Sequence, residues 1–433
     1  MKLKLRDVDK RIIKAFFYSF IGSAASKALI LLLGILLARL LGEEGYGKYS
    51  LVNSTIQTFV TVASMGIGAS LVHYVAIHRN SDKKLCGHYI GSFSMIIVAM
   101  SAIVALAVCI FSDGVSIWAA EDTSLSPYFQ IAAFVILFVA VCSALQSILL
   151  GFESFKTISV LEIVYGISII VFAVSFAYFW NVAGALLGML SARVLYSLLL
   201  LIFAGKVSKR ERVRWRFNPD GVIWRAYKAF TLPSFLSSVF VIPVFWVLNT
   251  MLTRSAGYVD MAVHAISVQW VSIVNYLMSL FTRAKPIYTQ LYADRNYKEF
   301  GKQVKRVVLI AGGVGIAIAV FAILLSKFIL GLYGDGYVDQ YMVFVLMMIT
   351  AAINSVQSQF GTVLEVMGKM WIGLGLNIVW AINVVSFFLL FREYGALGYS
   401  IAYLIAYSIH CLLSFIIIWT AFNRAVKKEG DGK

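Results

Sequence analysis

Charge is scarce in this chain. Only 13% of its 433 residues are Asp, Glu, Lys or Arg, roughly half the share of an ordinary soluble domain. Hydrophobic residues make up 61%, and the mean hydropathy is +0.85. That balance excludes a soluble enzyme with a polar exterior. Proline is also rare, with five residues in all, so long helices can run with few breaks. The four cysteines, Cys86, Cys109, Cys142 and Cys411, lie in or beside apolar stretches. They lack metal-ligand spacing and imply no disulfide framework. No glycine-rich phosphate loop precedes a Lys-Ser or Lys-Thr pair, so ATP is not expected to drive the chain directly. Neither a metal nor any other cofactor is expected. The basic N-terminus runs into an apolar stretch too long for a signal-peptide core, so no cleavable signal is expected.

What the chain has is apolar runs long enough to cross a bilayer core of about 30 Å. Twelve spans are expected: 15–41, 49–77, 86–111, 127–150, 157–179, 182–204, 226–253, 258–282, 307–331, 340–366, 371–391 and 395–421. They must be helices, because barrel strands would be shorter and would alternate in polarity. The connecting loops alternate in charge. Segments on the side of the N-terminus hold 30 of the 37 Lys and Arg residues. Opposite loops are acidic: 112–126 carries Asp113, Glu121 and Asp122, and 332–339 carries Asp335 and Asp339. Neither contains a basic residue. The positive-inside bias then places both termini in the cytoplasm. The net charge of +16 reads as a topology signal, not as a nucleic-acid footprint. The runs 206–216 and 302–306 are also suited to anionic lipid headgroups. The stretch KRERVRWRF within 205–228 is expected to form a short amphipathic helix on the inner surface.

The two halves resemble each other. Arg39 answers to Arg254, and Gly45-Tyr46 to Gly257-Tyr258. Ser54-Thr55-Ile56-Gln57 answers to Ile266-Ser267-Val268-Gln269, Ala144 to Ser147 answers to Ser355 to Ser358, and Gly184-Ala185-Leu186 to Gly395-Ala396-Leu397. These pairings lie 211 to 215 residues apart. Repeats of six helices are how many transporters build a central site. The expected fold is therefore all-α and integral to the membrane, with about twelve transmembrane helices in two pseudo-symmetric six-helix lobes around a central cavity. The lobes are 1–204 and 229–433, joined by the basic loop 205–228.

A few polar residues stand out against this background. Ser19, Ser23, Ser26 and Lys27 form a polar stripe on the first span. A mid-membrane lysine costs about 3 kcal/mol unless it meets water or a partner, so three readings are open for Lys27: it lines a hydrated cavity, snorkels, or pairs with a carboxylate. Arg193 lies near mid-depth in the sixth span. Glu162, in the fifth, is its candidate partner across a vertical offset of about 9 Å; unpaired, Arg193 is a second cationic cavity residue. Gln57 and Gln269 are candidates for polar lining with Ser23 and Ser26. Arg39 and Arg254 sit near span ends, where snorkelling and gating are both open readings. His73, His264 and His410 are either packed or proton-coupling histidines. Pro233 and Pro243 share the seventh span and make it a candidate hinge.

The segment ILLARLLGEEGYGKYSLVNS (35–54), followed by GIGASLVHYVA (66–76), resembles the start of the polysaccharide (O-antigen type) flippases. These belong to the multidrug/oligosaccharidyl-lipid/polysaccharide exporter superfamily. The resemblance implies two bundles around a V-shaped cavity lined by the first, second, seventh and eighth helices. It implies a cationic cavity suited to a diphosphate and a multi-pass place in the bacterial inner membrane. The implied substrate is an undecaprenyl-diphosphate-linked oligosaccharide, moved by alternating access for surface polysaccharide biosynthesis. The drive stays open between H+ or Na+ as coupling ion and the membrane potential, and a polysaccharide polymerase with its chain-length machinery is a candidate partner. The competing reading is a cation-coupled multidrug antiporter of the sister branch, which needs membrane carboxylates. Only Glu162 and Glu365 qualify, so charge sign favours the anionic substrate. A membrane scaffold or glycan polymerase is a third class; the short outer loops speak against a polymerase.

Overall fold

In hydrocarbon a backbone amide finds no water, so a chain this apolar can only satisfy itself as helix. The computed structural model describes residues 2–218, 220–232, 235, 241–281 and 285–431, and these contain helix but no strand. Eight of the described helical runs are long and apolar enough to cross a membrane: Gly22–Ser64, Lys83–Ile110, Thr123–Gly151, Phe155–Arg210, Ile242–Met278, Tyr297–Leu324, Asp335–Val366 and Met370–Asn423. Four of the eight are too long for one crossing, and each is broken once. The breaks fall at Gly42, at Trp180-Asn181, at Gly257 and at the turn Arg392–Gly395. Splitting those four runs gives twelve, the number expected from hydropathy; the second span, expected over 49–77, is interrupted at Met65-Gly66, after which Ile67–Ser81 forms a separate helix.

The breaks carry the internal repeat more sharply than the sequence does. Gly42 has φ 69 and ψ 179, and Gly257 has φ 87 and ψ −175. Only glycine enters that region at no cost. Asn181 has φ 47 and ψ −129, and Gly395 has φ 56 and ψ −132. Two pairs of breaks thus share two backbone conformations. The helices between them match in length: Lys83–Ile110 and Tyr297–Leu324 are both 28 residues, and Ser126–Gly151 and Tyr341–Val366 are both 26. Asp82 and Asn296 each cap the first helix of such a pair with a side-chain oxygen.

This register corrects several sequence pairings. The matched breaks and helix starts lie 214 or 215 residues apart. Gly257 answers to Gly42, not to Gly45. Gly398 answers to Gly184, and in each a Cβ would stand 2.0 Å from a carbonyl oxygen of the preceding span, Phe391 and Phe176 respectively. Gln57 and Gln269 slip by almost one turn and are not equivalent. Ile56 is fully buried while Val268, its supposed partner, is 41% exposed. Identical short words one helical turn away outweigh the true match when only letters are compared.

The chain forms two compact units, Met1–Thr250 and Met251–Lys433. In the first unit the spans approach closely at small residues, as expected where apolar burial gives no drive between helices. Gly22 lies against Ser159 and Gly166 against Leu29, with no room for a Cβ at either. The described part of the seventh span up to Thr250 belongs to this unit. Ser70 and Thr231 share a 2.6 Å hydrogen bond, and Trp246 Nε1 donates to Thr55 Oγ1 at 3.0 Å. Trp246 also stacks on Trp118 with ring centroids 4.5 Å apart. An ion pair of Arg79 with Glu153 fastens the end of the second span to the turn after the fourth. In the second unit Lys285 and Glu365 do the equivalent. Gly315 packs on Ser355, and Asp260 Oδ1 accepts from the Ala396 N–H at the start of the twelfth span.

One expectation fails outright. The stretch KRERVRWRF is not an amphipathic helix. Helix ends at Arg210, where Arg212 takes a left-handed φ of 57. Residues 213–218 have no helical or strand assignment. The apolar residues Val213 and Trp215 alternate with arginine, a period of two that fits extended chain.

The break geometry is open to test. Gly395→Ala places a side chain at φ 56 and 2.2 Å from Asp260 Oδ1. It is expected to lower unfolding stability by about 2 kcal/mol, whereas Asn181→Gly should raise it by about 1 kcal/mol. Thermal unfolding in detergent reads both. No change in either variant would contradict strained breaks.

Candidate functional site

The close approach of the first span to the fifth at Gly22 and Ser159 brings the polar stripe beside a carboxylate. Gln146 Nε2, from the fourth span, donates to Glu162 Oε1 at 2.7 Å. The Ser23 hydroxyl approaches the same carboxylate, and Lys27 is near enough for its charge to act on it. Lys27 itself is exposed, while Ser23 and Ser26 are half-buried. The structure therefore unites Ser23, Lys27 and Glu162 in one cluster from the first and fifth spans. Gln146 is the member that sequence reasoning used only as a repeat marker. The signal was available: Gln146 and Glu162 lie equally far from Ser154, at the turn of one hairpin, and so at one depth.

Of the two readings open for Arg193, pairing with Glu162 is not the one the structure shows. Its guanidinium carbon stands 4.3 Å from the centre of the Tyr165 ring. Tyr165 in turn packs on Tyr196 with centroids 4.8 Å apart. The Cys142 thiol reaches the Arg193 carbonyl at 3.7 Å, and Tyr49 is buried beside the same group. Among the described residues no ion pair joins Arg193 to Glu162, whose carboxylate is held by Gln146. A desolvated cation over an aromatic face gains about 2 kcal/mol, enough to compete with a carboxylate one and a half turns away. The Arg193 Nε is buried with no hydrogen-bond partner among the described residues. Three of the four groups around it, Tyr49, Tyr165 and Tyr196, are tyrosines that composition alone does not distinguish from packing.

The other candidates are scattered. Gln57 is exposed on the second span, whereas Gln269 accepts from Tyr333 Oη at 3.0 Å. Trp270 Nε1 donates to the same tyrosine at 3.1 Å, so Gln269 belongs to a fixed network. Arg39 and Arg254 are both exposed, each three residues before a break glycine. Pro243 is half-buried near the start of Val241–Met278; Pro233 lies outside the described residues. Just before Pro233 the helix widens into a π-turn, Tyr227–Thr231, with Leu232 N donating to Tyr227 O five residues back. Sequence reading had no signal for that turn.

His264 is buried and stacks on Tyr399 with centroids 4.1 Å apart. Tyr399, Tyr403 and Tyr407 follow at one-turn spacing on the twelfth span, and the Tyr403 and Tyr407 hydroxyls stand 3.5 Å apart. His410 continues this column with its ring 6.5 Å from Tyr407. His73 packs edge-on against Tyr74 at 5.0 Å.

The family profile described as "Polysaccharide biosynthesis protein" matches residues 12–289, and the MatE profile matches 233–390. The chain is 21% identical over 400 residues to the EPS I polysaccharide export inner membrane protein EpsE of Ralstonia solanacearum, covering 91% of this chain and 90% of that one. It is 20% identical over 397 residues to a putative O-antigen transporter of Shigella flexneri, covering 90% and 92%. Among solved structures, an inward-facing multidrug resistance MATE family transporter of the MOP superfamily superposes with a TM-score of 0.80 at 16% identity, covering 94% and 99%. A MOP superfamily transporter from Pyrococcus furiosus gives 0.66 at 17% identity, covering 96% of each chain. Fold and family together point to a membrane transporter and not to an enzyme. On the match over residues 12–289, the chain belongs to the polysaccharide biosynthesis protein family, within the multidrug/oligosaccharidyl-lipid/polysaccharide exporter superfamily.

Proposed function

We propose that this protein is a flippase for a lipid-diphosphate-linked oligosaccharide, moving it across the bacterial inner membrane by alternating access. A diphosphate and a run of sugars cannot cross about 30 Å of hydrocarbon unaided, since each buried charge or unpaired hydroxyl costs several kcal/mol. A groove open to the side would take the headgroup while the lipid tail stays in the bilayer. The two lobes of that mechanism would be 1–204 and 229–433, with 205–228 and both termini in the cytoplasm. H+ or Na+ would supply the drive, and a polysaccharide polymerase with its chain-length machinery would take the product.

The observation that carries this reading is Lys27. It is a mid-span cation left exposed by the protein, in a cluster whose only carboxylate is already bonded to Gln146. Arg193, held over the Tyr165 ring, is a second cation within the same compact unit. The names of the curated relatives point the same way. The second reading, a cation-coupled multidrug antiporter, draws on the MATE structures and would give Glu162 the central place.

Three outcomes are expected. Lys27→Ala lowers transport by at least about tenfold, as loss of a charge-assisted phosphate contact should, while Arg39→Ala at an exposed span end has a smaller effect. Equal transport by Lys27→Ala and wild type, at equal membrane abundance, would remove the cavity role. Glu162→Gln keeps the hydrogen-bonding partner of Gln146 and retains most glycan transport; a loss as large as that of Lys27→Ala would favour the antiporter reading. Pro233→Ala combined with Pro243→Ala slows turnover without loss of folded protein, and an unchanged rate would remove the hinge.

A further inference from the structure

We propose that the strap formed by residues 211–217 is a binding site for anionic phospholipid headgroups of the leaflet that faces the basic loops. The inference rests on the loop-charge orientation and is independent of what the protein transports.

The strap is held in place at several points. Arg212 turns the chain off the sixth span through a left-handed residue, with Arg212 N donating to Lys209 O at 3.0 Å and Val213 N to Ser208 O at 2.8 Å. Beyond it the backbone lies on the third span. Arg216 N donates to Gly87 O at 3.0 Å, and Ser92 Oγ donates to Arg216 O at 3.4 Å. The contact is so close that a Cβ on Gly87 or Gly91 would stand 1.9 or 2.3 Å from the Arg214 or Arg216 carbonyl oxygen. Trp215 Nε1 donates to Ser208 Oγ at 2.9 Å, and Lys83 Nζ donates to Glu211 O at 2.7 Å. Farther along, His88 Nε2 lies 3.1 Å from Asp220 Oδ1. The His88 imidazole beside it, with the N–H groups of Ile223 and Val222, holds the Asp220 carboxyl below the usual range. That anchor therefore stays charged at physiological pH.

Fixing the backbone fixes the side-chain alternation. Val213 is buried and Trp215 half-buried, so Arg212, Arg214 and Arg216 all face outward and are exposed. In extended chain their attachment points are about 7 Å apart and the row spans about 13 Å. Neighbouring carboxylates are engaged elsewhere: Glu211 with Arg210 at 3.5 Å and Asp220 with His88. Among the described residues no ion pair uses the three arginines.

Depth and shape identify the ligand. Gly87 and Gly91 belong to the first turns of Lys83–Ile110, so the strap lies level with the end of an apolar span. Phe217 and Trp224 are 60% and 49% exposed beside it, and aromatic side chains favour that interface. Guanidinium forks suit phosphate oxygens. A row about 13 Å long fits several single-phosphate heads side by side better than one compact diphosphate.

The test uses the full-length protein in detergent, titrated with phosphatidylglycerol or phosphatidylcholine, with the thermal unfolding midpoint as readout. Phosphatidylglycerol is expected to raise the midpoint saturably, and phosphatidylcholine not to. R212Q/R214Q/R216Q should raise the half-saturating phosphatidylglycerol concentration at least about tenfold. K298Q/K302Q/K305Q removes the same charge from the basic first turns of Tyr297–Leu324 and should change it by less than about twofold. Replacing the three arginines by lysine should restore part of the response, which a folding defect would not allow. Equal responses of the two glutamine triples would overturn the proposal in favour of diffuse attraction. A response to a lipid diphosphate but not to phosphatidylglycerol would overturn it in favour of a substrate contact.

Discussion

A peptide group in hydrocarbon must find its partner inside the protein, and the architecture follows from that demand. Helices are obligatory, so the chain can turn only where it leaves the apolar layer. It turns sharply, at single residues in unusual backbone conformations. Gly42 and Gly257 share one such conformation, Asn181 and Gly395 another. These four positions end the spans on either side of each break and so fix the depth of the side chains near them. Gly395 depends further on Asp260, which satisfies the helix start just after the turn.

The same constraint governs the polar groups. Glu162 is held by Gln146, Arg193 by the face of Tyr165, and Gln269 by Tyr333. Lys27 differs from these in being exposed. A lysine exposed at mid-span suits an anionic ligand, because Coulomb attraction is strongest where water is scarce. A carboxylate already accepting a hydrogen bond is less suited to hold a cation.

Much of this was legible in the sequence. The spans follow from apolar length, and the repeat shows in a few shared words. The register was not legible, because Gln57 and Gln269 resemble each other as letters while lying almost one turn apart in the true register. The structure fixes register through φ and ψ, which a sequence expresses only where glycine is compulsory. The Arg193 partner was left open by the sequence for a related reason. Charge complementarity pointed to Glu162, but no count of charges shows that Tyr165 is nearer. The strap at 211–217 was misread because a basic amphipathic pattern suggests a helix. The alternation of Val213 and Trp215 with arginine, opposite Gly87 and Gly91, was the contrary sign.

The central claim is that an anionic lipid-linked glycan is the cargo. Its most direct test is the leaflet distribution of lipid-diphosphate oligosaccharide in the native host after deletion of the gene, with drug tolerance followed in parallel. The account predicts accumulation on the inner leaflet, reversed by the wild-type gene, with drug tolerance unchanged. A normal glycan distribution in a strain free of other flippases, together with increased sensitivity to cationic drugs, would contradict it.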